Sequence, residues 1–371
     1  MNFYCQHINL LMYRAAVMAD INFNMRRSHS DSTFNRGSQH YTYRQQSTLQ
    51  QQQSTQQSVQ QNATQNNSAV KTELSIPIYL NTQIGRGSHG SIYKTTMLNV
   101  DGGEMQIAVK YIDHANMSTG RVELLVLKRL LKMPHKNIVS FIESQYSPTD
   151  GLYLSMEFIN GVDTFTFLDN RPGFKLDNAQ LKQFVPQLLS AVSHLHSAGI
   201  AHCDIKPENI MIIDGADFGN FGTISIKLID FGLAEIGEPG QSIRTHRVRG
   251  SQRYFPPEIF TLYQYAKNIP TIRKTAYNET FESTLKIGFD VAALDIWAVG
   301  IMVYIAIIGR MPYKNKDFNR DTQKGLFPPL IWGELCDHAY WEVCADMLAI
   351  NPLHRVTANV ALDKISNINL E

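Results

Sequence analysis

The sequence reads Ile200-Ala-His-Cys-Asp204-Ile-Lys206-Pro-Glu-Asn209-Ile-Met-Ile-Ile213 and, after a polar turn, Ile224-Ser-Ile-Lys-Leu-Ile-Asp230-Phe-Gly232. Two short apolar runs alternate with two loops, and the loops carry two carboxylates, an amide and a lysine. Phosphoryl transfer from a magnesium nucleotide needs a carboxylate for the hydroxyl proton, a carboxylate and an amide for the metal, and a cation against the phosphate charge. This stretch therefore predicts a phosphoryl-transfer site.

The two loops resemble signatures of the eukaryotic protein kinases, namely the H-x-D-x-K-x-x-N catalytic loop and the D-F-G triplet. The resemblance covers about residues 76–365 and implies an α+β, bilobal kinase fold over residues 73–368. A small β-rich N-lobe is expected at 76–156, with strands at Asn137–Ile142 and Leu152–Met156, followed by a hinge at 157–163 and a larger helical C-lobe at 164–368. Apolar residues at helical spacing predict a long amphipathic helix at Leu181–His196 that leads into the catalytic loop.

Composition separates this region from an N-terminal tail. Residues 1–72 contain a tract of Gln, Ser, Thr and Asn that cannot bury enough apolar surface to fold, so a disordered Gln-rich tail is predicted. A sticky segment for partner docking is the alternative. The remaining chain has ample apolar residues for a large core, since 43% of all 371 residues are hydrophobic.

Charge and apolar patterning exclude several partner classes. The net charge is +1, which favours neither a nucleic-acid nor a membrane partner. Ile296–Gly309 is shorter than the roughly 20 residues of a membrane span, so a buried helix is expected there. The four cysteines lack metal-ligand spacing and are typical of reduced thiols, which predicts an intracellular protein of the cytoplasm, the nucleus or both.

Upstream residues match the ATP site of the family. The glycine-rich turn has strand-like residues on both sides and no helix after it, which favours a hairpin over phosphates rather than a dinucleotide fold. Lys110 resembles the phosphate-binding lysine and Glu123 its ion-pair partner; their short separation implies a clipped loop or a shortened helix. The residues expected to bind ATP are Ile84, Gly85, Arg86, Gly87, Ser88, His89, Gly90, Ile92, Ala108, Lys110, Met156, Glu157, Phe158, Ile159, Asp163 and Met211.

The resemblance also implies the chemical roles. Asp204 would accept the hydroxyl proton, Lys206 would screen the γ-phosphate, and Asn209 and Asp230 would bind Mg²⁺. A second D-F-G begins at Asp217, but it lies among glycines with no strand before it, so Asp230 is assigned to the metal. The expected catalytic residues are Asp204, Lys206, Lys110 and Glu123.

Three supporting contacts are expected from the same resemblance. Ser251 should bond Asp204 and Lys206, Arg355 should pair with Glu258, and Asp295 should brace the backbone of the catalytic loop. About 25 additional residues at 263–286 exceed the usual loop length. They form either a solvated insert or a docking element for a regulatory protein partner, and both readings stay open.

Control of the site departs from the family pattern. Cys203 stands where an arginine usually clamps an activation-loop phosphate, and Arg247 stands at the usual phosphothreonine position. A charge-assisted clamp needs a cation and an anion, so activity is predicted not to depend on phosphorylation at the usual site. Phosphorylation of Thr245 or Ser242 is the alternative.

Two function classes follow. The first is a protein serine/threonine kinase that uses ATP and Mg²⁺ and acts on protein substrates with Ser or Thr acceptors. The second is a nucleotide-binding pseudokinase that serves as a scaffold. The first is favoured because Lys110, Glu123, Asp204, Asn209 and Asp230 are all present.

Overall fold

A computed structural model of the protein describes residues 80–87, 90–98, 102–214, 223–259, 288–314, 330–335 and 338–368. Contacts divide the chain between Lys71 and Thr72, and every described residue belongs to the second unit. Some predictions fall outside the described residues: those for the Gln-rich tail 1–72, the insert 263–286, Ser88, His89 and Asp217.

The N-lobe is a five-stranded antiparallel sheet in the order β1-β2-β3-β5-β4. Side chains alternate between its two faces. Ile107 and Val109 of β3 form a small cluster with Tyr153 on one face, while Ala108 and Lys110 lie on the other. The strands are β1 (Thr82–Gly87), β2 (Gly90–Leu98), β3 (Glu104–Ile112), β4 (Phe141–Ser147) and β5 (Gly151–Glu157).

A glycine is required where β2 begins. Gly90 has φ +154°, and a Cβ atom there would lie 2.3 Å from the backbone oxygen of Tyr111 on β3. The glycine-rich hairpin therefore lies close against the strand that carries Lys110, which a larger residue at this position would prevent.

One helix, α1 (Met117–Lys132), packs on the N-lobe sheet after a 3₁₀ turn at His114–Asn116. Asp113 caps that turn by accepting a hydrogen bond from the Asn116 backbone N–H at 3.0 Å. The helix has 16 residues and begins at Met117. The short Lys110–Glu123 interval is thus explained by a clipped loop and not by a shortened helix.

The segment before β4 differs from the prediction of a strand at Asn137–Ile142. The strand begins only at Phe141. Asn137 and Ile138 turn instead to β9 of the C-lobe, where Asn137 Nδ2 donates to the Ile226 oxygen at 2.9 Å and Ile138 bridges Leu228. The Leu228 N–H also donates to the Asn137 backbone oxygen at 2.9 Å, so this segment joins the two lobes and does not extend the N-lobe sheet.

The C-lobe consists of helices around short paired strands. The helix before the catalytic loop, α3, begins with a capping box between Asp177 and Gln180. The C-lobe also contains three small sheets, with the strand orders β6-β8-β9, β7-β10 and β11-β12. The elements are β6 (Val162–Asp163), α2 (Thr164–Asp169), α3 (Asn178–Ser197), β7 (Ile200–Ala201), β8 (Ile210–Asp214), β9 (Ile224–Leu228), β10 (Glu235–Ile236), β11 (Arg244–Thr245), β12 (Phe289–Asp290), α4 (Val291–Ile308), α5 (Trp341–Met347) and α6 (Ala358–Ser366).

Helix α4 is the centre of the C-lobe. Asp290 caps its first turn and Gly309 ends it in the left-handed conformation. Among the described residues it is the one helix long and apolar enough to cross a membrane, yet 83% of that window is buried inside the fold. Helix α4 is therefore a buried core helix, as the sequence predicted.

Candidate active site

The N-lobe part of the site is a buried ammonium between two carboxylates. Lys110 Nζ lies 2.7 Å from Glu123 Oε2 and 2.8 Å from Asp230 Oδ1. Lys110 and Glu123 are nearly inaccessible, whereas the Asp230 side chain is 38% exposed. A strand, a helix and a loop of the C-lobe are thereby joined at one point, and one of the three groups remains open to a ligand.

The pKa values of these groups depend on burial and on the charges of their partners. Burial alone would lower the pKa of Lys110, but the charges of Glu123 and Asp230 outweigh it and the pKa is raised. Burial alone would raise the pKa of Asp230, but Lys110 and the Gly232 N–H outweigh it and lower the pKa to about 2. Burial raises the pKa of Glu123. At neutral pH Lys110 and Asp230 are therefore both charged.

Asp204 is held by four hydrogen bonds. Its Oδ1 accepts from the backbone N–H and the hydroxyl of Ser251, both at 2.9 Å. Its Oδ2 accepts from Lys206 Nζ at 2.6 Å and from Asn209 Nδ2 at 3.1 Å. Lys206 also donates to the Ser251 hydroxyl at 3.1 Å, so the expected Ser251 contacts are confirmed. These four contacts fix the orientation of the carboxylate, and the contact with Lys206 is charge-assisted.

The backbone of both loops is strained, and Asp295 of α4 holds the catalytic loop in place. Cys203 and Asp230 have φ values of +64° and +63°, a region that residues other than glycine seldom occupy. Asp295 of α4, which is fully buried, accepts from the backbone N–H groups of His202 and Cys203 at 2.7 and 2.8 Å. The prediction that Asp295 braces this loop is confirmed.

The other predicted brace is also present. Arg355 donates to both carboxylate oxygens of Glu258 at 2.8 and 3.1 Å, and its guanidinium lies over the ring of Trp297. This buried bidentate pair fixes the end of the activation segment to the last part of the C-lobe.

Four of the residues predicted to bind ATP share one face of the sheet. Strand pairing places Ile92 opposite Lys110, and Ala108 opposite Met156. Paired residues of antiparallel strands point to the same face, so these four line one surface. Met211 on β8 pairs with Asp163 on β6.

Some predicted ATP residues have additional structural duties. Asp163 accepts from the backbone N–H and the hydroxyl of Thr166 and so caps α2. Glu157 accepts from the Ser140 N–H at 2.7 Å and pairs with Lys227 of β9. Phe158 lies under the Lys94 ammonium, 4.1 Å from the ring centroid. Of the other residues predicted to bind ATP, Ile84, Gly85, Arg86 and Gly87 lie on β1, and Ile159 follows β5.

Asn209 and Asp230 are suited to a magnesium ion by their donor atoms. Asn209 Nδ2 is committed to the Asp204 backbone oxygen at 2.8 Å and to its carboxylate, which leaves Oδ1 as the atom available to a cation. Asp230 binds Lys110 and Gly232 through Oδ1, and no described residue donates to its Oδ2. Oxygen donors of this kind are those that Mg²⁺ prefers.

Several site-supporting residues were not found from the sequence. Ser242 donates to Asp290 Oδ2 at 2.6 Å, while Asp290 Oδ1 caps α4 through the Ala292 N–H. Arg249 lies 3.7 Å from Glu235. Of these residues, only Asp290 could have been found from the sequence, because an aspartate just before a helix often caps it. The other contacts join distant segments.

Comparison with known proteins agrees with this geometry. The chain matches the protein kinase domain family over residues 79–271, just over half of its length. The chain belongs to the protein kinase family. The prediction of that family and of its bilobal fold is thus confirmed.

The relatives of this kinase domain include proteins of several organisms. Probable serine/threonine-protein kinase fhkA of Dictyostelium discoideum is 26% identical over 77% of this chain and 49% of its own length. A probable myosin light chain kinase of the same organism is 28% identical over 76% of this chain and 81% of its own length. A serine/threonine-protein kinase of Drosophila persimilis is 32% identical over 65% of this chain and 28% of its own length. This chain therefore spans about half the length of the first relative.

Proposed function

We propose that this protein is a serine/threonine protein kinase that transfers the γ-phosphoryl group of ATP to hydroxyls of protein substrates. The observation that carries the proposal is the complete set of charged groups in one place, with Asp204 bonded to Lys206 and Asp230 bonded to Lys110. The names of the relatives support serine and threonine as acceptors.

Asp204 would orient the substrate hydroxyl and take its proton. The Ser251 hydroxyl donates to Asp204 Oδ1 at 2.9 Å, which supports this role because the carboxylate can accept a hydrogen bond from an alcohol hydroxyl. Lys206 forms an ion pair with this carboxylate, and its side chain is 22% exposed, so its ammonium could also screen charge on the transferred group.

ATP and Mg²⁺ are the cofactors that fit these donor groups. When bound, the metal would neutralise phosphate charge and align the phosphate chain. Asn209 Oδ1 and Asp230 would hold it, while Lys110, fixed by Glu123, would hold the phosphates under the glycine-rich hairpin. The adenine base would contact Ile92, Ala108, Met156 and Met211. The hinge backbone after Glu157 would form hydrogen bonds with the edge of the base.

Activity is proposed not to depend on phosphorylation at the usual activation-loop site. Cys203 is 3% exposed and uncharged, since burial raises the pKa of its thiol well above the ordinary value. The activation segment is ordered by contacts within the chain: Arg244 and Thr245 pair with β12, Ser242 bonds Asp290, and Ile243 is buried. None of these contacts needs a phosphate.

The cellular setting is also a proposal. Dependence on ATP and two buried free thiols, Cys203 and Cys344, support an intracellular location in the cytoplasm, the nucleus or both. Protein substrates are the expected partners. A regulatory protein partner is also proposed, and the insert 263–286 is either its docking element or a solvated loop.

The deciding experiment measures transfer of ³²P from γ-labelled ATP to a mixture of Ser/Thr peptides with Mg²⁺, beside the Asp204→Asn variant. We expect transfer by the natural protein and almost none by the variant. Nucleotide binding without any transfer by the natural protein would establish the alternative, a pseudokinase scaffold.

A further inference from the structure

Arg129 connects the helix of Glu123 to the C-lobe. It lies in the last turn of α1, six residues after Glu123, and is partly buried. Its Nη1 donates to three backbone oxygens, those of Ala198 at 3.0 Å, Gly199 at 3.3 Å and Gly237 at 2.7 Å. A single guanidinium nitrogen thus joins the N-lobe helix to two separate segments of the C-lobe.

The three acceptors lie where the catalytic loop and the activation segment meet. Ala198 ends α3, and Gly199 immediately precedes β7, which leads into the catalytic loop. Gly237 immediately follows β10, five residues after Gly232 of the D-F-G triplet. The strands β7 and β10 pair with each other, and the Gly237 N–H donates to the Gly199 oxygen at 2.9 Å. Arg129 therefore closes one end of this two-stranded ladder.

The local backbone is shaped to receive a cation. Gly199 has φ +67°, and a Cβ atom there would lie 2.6 Å from the Gly237 oxygen, so only glycine allows the two segments to approach this closely. The carbonyl groups at the end of α3 carry the negative end of the helix dipole, which favours a guanidinium. The carbonyl cluster, Ala198, Gly199 and Gly237, is thus a built acceptor for Arg129.

We propose that Arg129 is a positioning residue that keeps α1 docked on the carbonyl cluster and thereby keeps Glu123 on Lys110. This role rests on the proposed kinase function, because its catalytic consequence is a change in phosphoryl transfer. All three acceptors are neutral backbone atoms, so the link forms without any phosphate on the activation segment. His194, which bonds the Met133 oxygen at 2.8 Å, is a second contact at the same end of α1.

The test compares Arg129→Ala with Arg129→Lys and, as a matched control, Lys128→Ala on the exposed side of the same helix. Loss of alignment by about 1 Å can cost ~100-fold in rate, so we expect kcat of Arg129→Ala to fall about tenfold or more, with KM for the peptide within about twofold. Lys128→Ala should stay within about twofold of the natural protein. Arg129→Lys keeps an ammonium with three donors and should recover a substantial part of kcat. An unchanged kcat in Arg129→Ala, with only a lower melting temperature, would overturn the proposal.

A double-mutant cycle tests whether Arg129 acts through Glu123. In a Glu123→Gln background, the further change Arg129→Ala should lower kcat by less than about threefold, because coupled residues are not additive. Equal losses in both backgrounds contradict the proposed route.

Hydrogen exchange gives a readout that does not depend on activity. The amides of Gly237 and of β7 should exchange faster in Arg129→Ala and not in Lys128→Ala. Unchanged exchange would refute the link itself. If the natural protein transferred no phosphate while exchange responded as expected, the proposed kinase function would fail and the structural link would stand.

Discussion

Two helices each deliver one buried carboxylate to the site, and they are embedded in opposite ways. Helix α4 buries 15 of its 18 residues and supplies Asp295 to the catalytic-loop backbone. Helix α1 buries five of its 16 residues and supplies Glu123 to Lys110. Leu125 and Leu131 of α1 are 59% and 54% exposed. A helix surrounded by core can hardly move, whereas a helix packed on one face can shift as a unit.

We call α4 and the catalytic loop the floor of the site, which is fixed, and α1 with Lys110 its roof, which can shift. In the floor, Asp295 holds the backbone just before Asp204 through buried hydrogen bonds, so the residues of the floor should affect stability as well as chemistry. The roof, formed by α1 and Lys110, depends on few contacts, so its residues should affect the rate more than stability. The following measurements can sharpen or break this distinction.

The largest effect is expected for the group at the reacting hydroxyl. Asp204→Asn keeps the shape of the side chain but cannot take a proton, and general-base catalysis contributes about 10²–10⁴-fold, so kcat should fall about 1,000-fold with a nearly unchanged melting temperature. Asp230→Ala should likewise abolish transfer. Asp217→Ala, in the second D-F-G, should keep the activity of the natural protein. If Asp217→Ala were inactive and Asp230→Ala active, the metal ligand would be Asp217, and its assignment to Asp230 would be wrong.

The next effect is on stability and tests the floor. Asp295→Ala leaves the buried N–H groups of His202 and Cys203 without their acceptor, and each such loss costs ~1–3 kcal/mol. Urea unfolding should therefore show a loss of about 3 kcal/mol in the free energy of unfolding. The matched control is Asp346→Ala, whose partner Lys364 is 47% exposed, and it should cost less than about 1 kcal/mol. Similar costs in both variants would mean that α4 is not a rigid floor.

A smaller effect, on rate alone, is expected from the roof. Glu123→Gln removes the charge that orients Lys110, and kcat should fall about tenfold. Lys110 keeps its ion pair with Asp230 in this variant, so its buried ammonium is not left unpaired and the free energy of unfolding should fall by less than in Asp295→Ala. Parallel measurements of kcat and urea unfolding check this. A stability loss as large as that of Asp295→Ala would erase the distinction between the two helices.

The smallest effect is expected from phosphate removal. Activity of the purified protein should change by less than about twofold after exhaustive phosphatase treatment, because the segment is ordered by contacts without phosphate. The Ser242→Ala/Thr245→Ala variant should behave alike apart from a small loss of stability from the Ser242–Asp290 bond. Loss of most activity in both preparations would instead favour the shifted switch at Ser242 or Thr245.

The sequence by itself determined which residues form the candidate site. Residue types at fixed spacings within single loops, such as Asp204, Lys206 and Asn209, carry that information because a short loop brings them together whatever surrounds it. Strand context likewise predicts that Asp230, and not Asp217, is the metal ligand. Apolar periodicity found the long helix α3 and the buried helix α4, although α4 begins at Val291, before the stretch that the apolar run marked.

Only the tertiary structure decided how the parts are held in register. Asn137 and Ile138 read as a strand of the N-lobe, but their backbone groups pair with β9 across the lobes. Arg129 reads as an ordinary basic residue near a helix end, and its acceptors lie 69 to 108 residues away as bare carbonyls. Backbone acceptors leave no side-chain signature, and contacts between distant segments exist only after the core has fixed their distance. That is the physical reason why the sequence named the reacting groups but not the contacts that align them.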